Sequence, residues 1–183
     1  MARVRYLERE DLPAEHRQVY DDIARSRGGV QPNFRALLNS PLAILGLSGE
    51  EAFNNPQVRP FLAEVLEEAR QVLAKAEVPL KTLPGDQPLP EMIASLRRAD
   101  FTPRSVSDRA LRVYPSMWQD LFCRRGRTEA RYLNGKIAEL GQPLSIPTPV
   151  NARLVQVVDG MAERRELPGT YTLSDLRRML ERS

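Results

Sequence analysis

The sequence holds one cysteine, Cys123, and one histidine, His16, in 183 residues. A disulfide within the chain is therefore excluded, which points to a reducing compartment. A zinc site needs about four nitrogen or sulfur ligands, and these residues cannot supply them. Aromatic residues make up only 6%, and the apolar 42% is mostly leucine, valine and alanine. That composition suits helix packing better than a β-sandwich. No apolar run approaches the roughly 20 residues that span a bilayer. The N-terminus is charged from Arg3 onward and carries no apolar signal region. A cytoplasmic protein with no membrane partner is expected. Gly-x-Gly-x-x-Gly and Gly-x-x-x-x-Gly-Lys-Ser/Thr are both missing, so no phosphate-cradling loop is legible and no nucleotide cofactor is expected to bind this chain alone.

What the chain does have is charge and helical periodicity. The net charge is +3. Basic pairs at Arg97-Arg98, Arg124-Arg125, Arg164-Arg165 and Arg177-Arg178 are spread out and interleaved with acids. No aromatic stacking series accompanies them, so they read as solvated helix faces and no nucleic-acid partner is expected.

Asp11-Leu12-Pro13 opens a first helix, with Val19, Tyr20 and Ile23 on one face and Gly28-Gly29 as its stop. Asn33 is placed to cap a second helix carrying Phe34, Leu37 and Leu38, which Pro41 interrupts. Ser48 with Glu51 reads as a capping box. Asn55-Pro56 then starts the clearest helix, whose apolar positions Val58, Phe61, Leu62, Val65, Leu66, Ala69, Val72 and Leu73 keep one stripe for over four turns. Four prolines and a glycine make 77–90 a loop. A short helix is expected over 90–98, then irregular chain to 114. Helices over 115–125, 128–140 and 149–165 follow, with Gly126 and Gly141 as breaks and Thr148-Pro149 as the third cap. Thr172 with Asp175 opens a last helix using Leu173, Leu176, Met179 and Leu180. No strand alternation and no repeat is legible. An all-α helical bundle is the expected architecture.

One stretch is more informative than its periodicity. It runs Pro115-Ser116-Met117-Trp118-Gln119-Asp120-Leu121, then Gly126-Arg127-Thr128-Glu129-Ala130-Arg131-Tyr132-Leu133-Asn134-Gly135, and later Ile146-Pro147-Thr148-Pro149-Val150-Asn151. Taken by themselves, Ser116 reads as a helix cap, Glu129 as a solvated partner of a helix dipole, Trp118 as core and Cys123 as a buried thiol. Asn134-Gly135 inside a helical pattern costs about 1 kcal/mol relative to alanine and marks close packing or a ligand.

In order and spacing these strings resemble the signature of the C-terminal domain of ketopantoate reductases: S-M-x-Q-D, a glycine turn, T-E-x-D-Y-x-N-G and P-T-P-x-N. The resemblance covers about residues 42–183. It implies a helical substrate-side domain that dimerises and closes against a nucleotide-binding domain. It also implies NADPH-dependent reduction of ketopantoate on the route to pantothenate. By resemblance, Ser116 is a substrate-binding serine, Glu129 the catalytic glutamate, and Asn39 one asparagine of the substrate set. Asn134 and Asn151 match positions of structural character.

The sequence also departs from that pattern. Arg131 stands where the family has aspartate, and the turn before Glu129 is one residue longer. The family's catalytic lysine, sought backwards from Asn39, meets Arg35 and then Gln31. Residues 1–44 resemble the start of carboxymuconolactone decarboxylase-like proteins, so the chain divides at 1–44 and 45–183. The resulting expectation is a substrate-binding and dimerising domain, inactive alone, that binds a small 2-oxo acid. NADP(H) is the family's cofactor, and a separate nucleotide-binding subunit and a homodimeric partner are implied. The alternative is a helical interaction module, or a rearranged gene product without chemistry.

Overall fold

The computed structural model describes residues 13–14, 17–18, 33–78, 80, 87–105 and 112–181. Of the expected first helix only 13–14 and 17–18 are described, with Ala14, Arg17 and Gln18 helical; Val19, Tyr20, Ile23 and His16 lie outside the described residues. Among those described there is no strand, and the elements are α-helices joined by 3₁₀ turns, so the fold is all-α as the sequence leads one to expect.

A 3₁₀ turn, Asn33–Leu38, runs directly into α1, Asn39–Leu45. Pro41 therefore does not interrupt a helix. It sits in the first turn of α1, where a backbone N–H has no intrahelical partner to lose. Gly46 closes α1 in the left-handed conformation at φ 70°. A Cβ there would also lie 2.7 Å from the Gly169 Cα, so the chain at Gly169 packs directly on the end of α1. α2, Gly49–Asn54, begins with the expected capping box between Ser48 and Glu51. Asn55 accepts from the N–H groups of Gln57 and Val58 at 2.9 and 3.3 Å, and so starts α3, Val58–Lys75.

α3 is the centre of the bundle. Phe61, Leu62, Val65, Leu66 and Val72 are all essentially inaccessible, each contributing about 1.5–3 kcal/mol by burial. α3 packs on α2, on α4 (Leu89–Arg97), on α6 (Asn134–Gly141) and on α7 (Pro149–Glu163). α1 packs on α5 (Ser116–Phe122) and on α7, and α8 (Leu173–Glu181) closes against α7.

The expected helix over 128–140 is broken. A 3₁₀ turn, Ala130–Tyr132, and α6 are separated by Leu133 at φ −105°, ψ −92°. The break places Asn134 at the start of α6 rather than inside a helix, and delivers its side chain to the core. Thr148 makes no side-chain cap at the head of α7. The Glu68 carboxylate of α3 does so, accepting from the N–H groups of Val150 and Asn151 at 2.9 Å each. Cys123 is exposed rather than buried, because α5 ends at Phe122 and the chain turns outward through Arg124 and Gly126 at positive φ. Trp118 is half-buried between the rings of Tyr114 and Phe122, with centroids 4.1 and 4.9 Å away.

Candidate active site

The packing of α1 on α5 brings two helix starts together. Asn39 is the first residue of α1 and Ser116 the first of α5. The Asn39 Nδ2 donates to the Ser116 Oγ at 3.5 Å, and the Ser116 hydroxyl donates in turn to the Glu129 Oε1. Residues separated by 77 and 13 positions thus form one hydrogen-bonded chain. Ser116 is exposed, while Asn39 and Glu129 are half-buried, so the chain is open to a ligand.

Two sets of contacts hold this arrangement. Beneath it, the next residues along each helix meet: the Ser40 hydroxyl lies 3.3 Å from the Met117 Sδ and donates to the Asn134 Oδ1 at 2.6 Å. The Asn134 amide gives its hydrogens to the Leu37 carbonyl and the Asn151 Oδ1, each at 2.9 Å. Asn151 continues to the Val65 carbonyl and to Glu68, at 3.0 and 2.7 Å. Ser40, Asn134 and Asn151 are fully buried, and each of these links ends on a protein acceptor, as a buried polar network must.

Beside it, Asp159 of α7 fixes the loop that carries Glu129. Its carboxylate accepts from the Thr128 hydroxyl at 3.1 Å and from the Arg131 Nε at 2.8 Å. That contact holds the Arg131 guanidinium more firmly protonated than usual, chiefly through the hydrogen bond. With both flanking side chains turned to α7, Glu129 points to Ser116. Ser40, Glu68 and Asp159 are site-supporting residues that sequence reasoning missed. Arg131, which departs from the family motif, has found this acid as its partner.

Two clefts flank the chain. One, of about 580 Å³, is lined by Glu129 with Asp120, Arg127, Tyr132, Asp159 and Glu163. The other, of about 500 Å³, has Asn39 in its wall together with Arg35, Leu42, Phe53, Val113 and Pro115. Arg35, one of the two positions reached in seeking the family lysine, lies with its guanidinium 5.8 Å from the centroid of the Phe53 ring. Gln31, the other, lies outside the described residues.

The chemistry available here is polar and non-nucleophilic. A carbonyl oxygen entering beside Ser116 would meet the second N–H of the Asn39 amide, the Ser116 hydrogen being given to Glu129, and the other Glu129 oxygen can accept from a ligand hydroxyl or steady a cation. Among the described residues no group of histidine, cysteine or acidic side chains is arranged to hold a metal ion. No helix among them is long and apolar enough to cross a membrane. The sequence has no glycine-rich phosphate loop, and there is no strand among the described residues to carry one.

Comparison with known proteins bears on the same residues. The chain is 29% identical over 128 residues to a 2-dehydropantoate 2-reductase of Aquifex aeolicus (strain VF5). The match covers 68% of this chain but only 37% of the relative. In three dimensions it resembles D-mandelate dehydrogenase, solved as a ternary structure with NADH and anilino(oxo)acetate, at a TM-score of 0.54. That similarity covers 84% of each chain at 22% identity, and it speaks to the fold. Residues 33–162 match the family described as "Ketopantoate reductase PanE/ApbA C terminal", a span that includes Asn39, Ser116, Glu129, Asn134 and Asn151, and the chain belongs to that family.

Proposed function

We propose that this chain is the substrate-side domain of a 2-oxo acid reductase, holding the acid through Asn39, Ser116 and Glu129. The observation that carries this reading is the continuous Asn39–Ser116–Glu129 hydrogen-bonded chain, which joins the motif residues Ser116 and Glu129 to Asn39, the asparagine that the resemblance assigns to the substrate set. Asn39 directs an N–H at the keto oxygen, and Glu129 accepts the Ser116 hydrogen and so orients its hydroxyl beside the ligand. The hydride comes from a nicotinamide nucleotide held outside these 183 residues. Calorimetric titration with ketopantoate and NADPH, separately and together, tests this. Ketopantoate is expected to bind, with Ser116→Ala or Glu129→Gln weakening it about tenfold, the loss of one charge-assisted hydrogen bond. The purified chain is expected neither to bind NADPH nor to turn over. Turnover above background, or variants that bind ketopantoate as well as the parent, would overturn the reading.

A second reading rests on the surface around α5. Val113, Phe122 and Tyr132 are 85%, 58% and 82% exposed. Large side chains left exposed in this way favour a helical interaction module, with a symmetric homodimer as the simplest cover. Light scattering at micromolar concentration is expected to give a dimer mass that Phe122→Glu reduces to a monomer. A monomer mass for the parent chain counts against it.

A further inference from the structure

We infer that Asp159 of α7 is a positioning residue of the site: through Thr128 and Arg131 it sets Glu129, and through Glu129 the Ser116 hydroxyl beside the ligand. The arginine at 131, where the family motif has aspartate, is then one half of a working charge pair whose other half is Asp159. This rests on the roles proposed above for Ser116 and Glu129.

Glu129 has no regular helix of its own. It follows the turn at Gly126 and precedes the 3₁₀ turn Ala130–Tyr132. Its neighbours hold it. The Thr128 hydroxyl accepts from the Ala130 N–H at 3.3 Å, bridging Glu129, and donates to one Asp159 oxygen at 3.1 Å. The Arg131 Nε donates to the other oxygen at 2.8 Å. One carboxylate therefore fixes the chain on both sides of Glu129. Its own placement is firm. Val158 and Met161 beside it on α7 are fully buried, and α7 is tied to α3 through Asn151 and Glu68. A site group on a loop is held most precisely when a rigid helix supports it.

The pair is poorly suited to a purely stabilising role. Arg131 is 74% exposed, so water screens it, and an ion pair of that kind adds little to the stability of a fold. Its effect on direction is not screened, because the Ser116 hydrogen stays on Glu129 only while Glu129 keeps its place. The sign of the charge matters too. Glu163, four residues on from Asp159, adds to the attraction on the Arg131 guanidinium. An aspartate at 131 would face both acids and be repelled. The departure at 131 is thus matched by the acid on α7, and the two positions are coupled.

The test uses the whole chain of 183 residues and two readouts: NMR three-bond couplings that report the Glu129 χ1 rotamer, and calorimetric affinity for ketopantoate. The parent is expected to hold a single Glu129 rotamer. Asp159→Ala is expected to average the rotamers and to weaken ketopantoate roughly fivefold, the loss of about one hydrogen bond, with a melting temperature close to the parent's. Asp159→Asn, which keeps an acceptor for Thr128, should fall between the two. Arg131→Asp should bind more weakly than Arg131→Ala, and the exchanged pair, Arg131→Asp with Asp159→Arg, should recover the single rotamer and most of the affinity. In a Glu129→Ala background Asp159→Ala should cost no further affinity, because its effect passes through Glu129; a merely structural residue would cost the same in both backgrounds. A single Glu129 rotamer in Asp159→Ala, equal losses in the two backgrounds, or an exchanged pair no better than Arg131→Asp would overturn the inference and leave the roles of Ser116 and Glu129 standing. Should the parent fail to bind ketopantoate, the proposed function falls, and the rotamer measurement alone decides whether Asp159 sets Glu129.

Discussion

Asn134 is the residue on which the site's rigidity depends most. It has no exposure, and its side chain joins Ser40, the Leu37 carbonyl and Asn151. Asn134→Ala leaves buried partners from three elements unpaired, and a loss of about 3 kcal/mol is expected in urea unfolding. A cost under about 1 kcal/mol, the range of an ordinary surface change, would show that water replaces the amide. The motif Asn134-Gly135 was legible as a costly feature of the sequence, since no helix interior prefers it. Its partners were not legible, because Leu37 and Ser40 lie 97 and 94 positions away. Glu68 and Asp159 show the same limit from the other side. An acid at the edge of an amphipathic stripe looks alike in sequence whether it faces water or a neighbouring helix, and nothing local distinguishes these two from the solvated ones. Ser116 and Glu129 were legible only through the family motif, for taken alone each reads as an ordinary helix-end residue.

Element boundaries divide by whether their determinants are local. α3 was readable almost to the residue, because its apolar stripe is long and Asn55 supplies a local cap. The capping boxes at Ser48 and Thr172 were readable for the same reason: both partners lie three residues apart. α7 was found by its Pro149 start, yet its cap comes from Glu68 of α3 and not from Thr148. This difference has a measurable consequence. Glu68→Ala is expected to cost roughly 1–2 kcal/mol, the upper part of the range for losing an N-cap, with an added loss from Asn151. Thr148→Ala is expected to cost less than about 0.5 kcal/mol. Paired denaturation curves decide it, and the reverse order of costs would return the cap to Thr148. The breaks at Leu133 and before Asn39 were not legible. In both places the backbone departs from a regular helix to satisfy contacts with distant elements, and a periodic pattern carries no record of that.

For the whole molecule, the all-α class followed from composition and periodicity, whereas the choice of which helices pack did not, since every amphipathic face fits any other at that level of detail. The charge distribution allows a further step. Glu67 is held below its ordinary 4.5, first by its hydrogen bond to Arg70 and against the opposing effect of burial. Glu166 is likewise lowered from 4.5, first by its hydrogen bond to Arg164. The unfolded chain therefore binds more protons than the folded one as each group titrates, and stability rises with pH through that window. The contribution is complete above about 4.5 and is lost as pH falls through the depressed folded values. Arg70 and Arg164 are 36% and 56% exposed, so water screens both pairs and each is worth about 1 kcal/mol or less. Thermal unfolding followed by circular dichroism should give melting temperatures that hold steady from pH 7 to pH 5 and fall below pH 4.5. Added salt should flatten that fall, because it screens pairs that are partly in water. A decline that begins above pH 5 would point to a group other than these carboxylates. A decline indifferent to salt would show that these partly exposed pairs are not its cause.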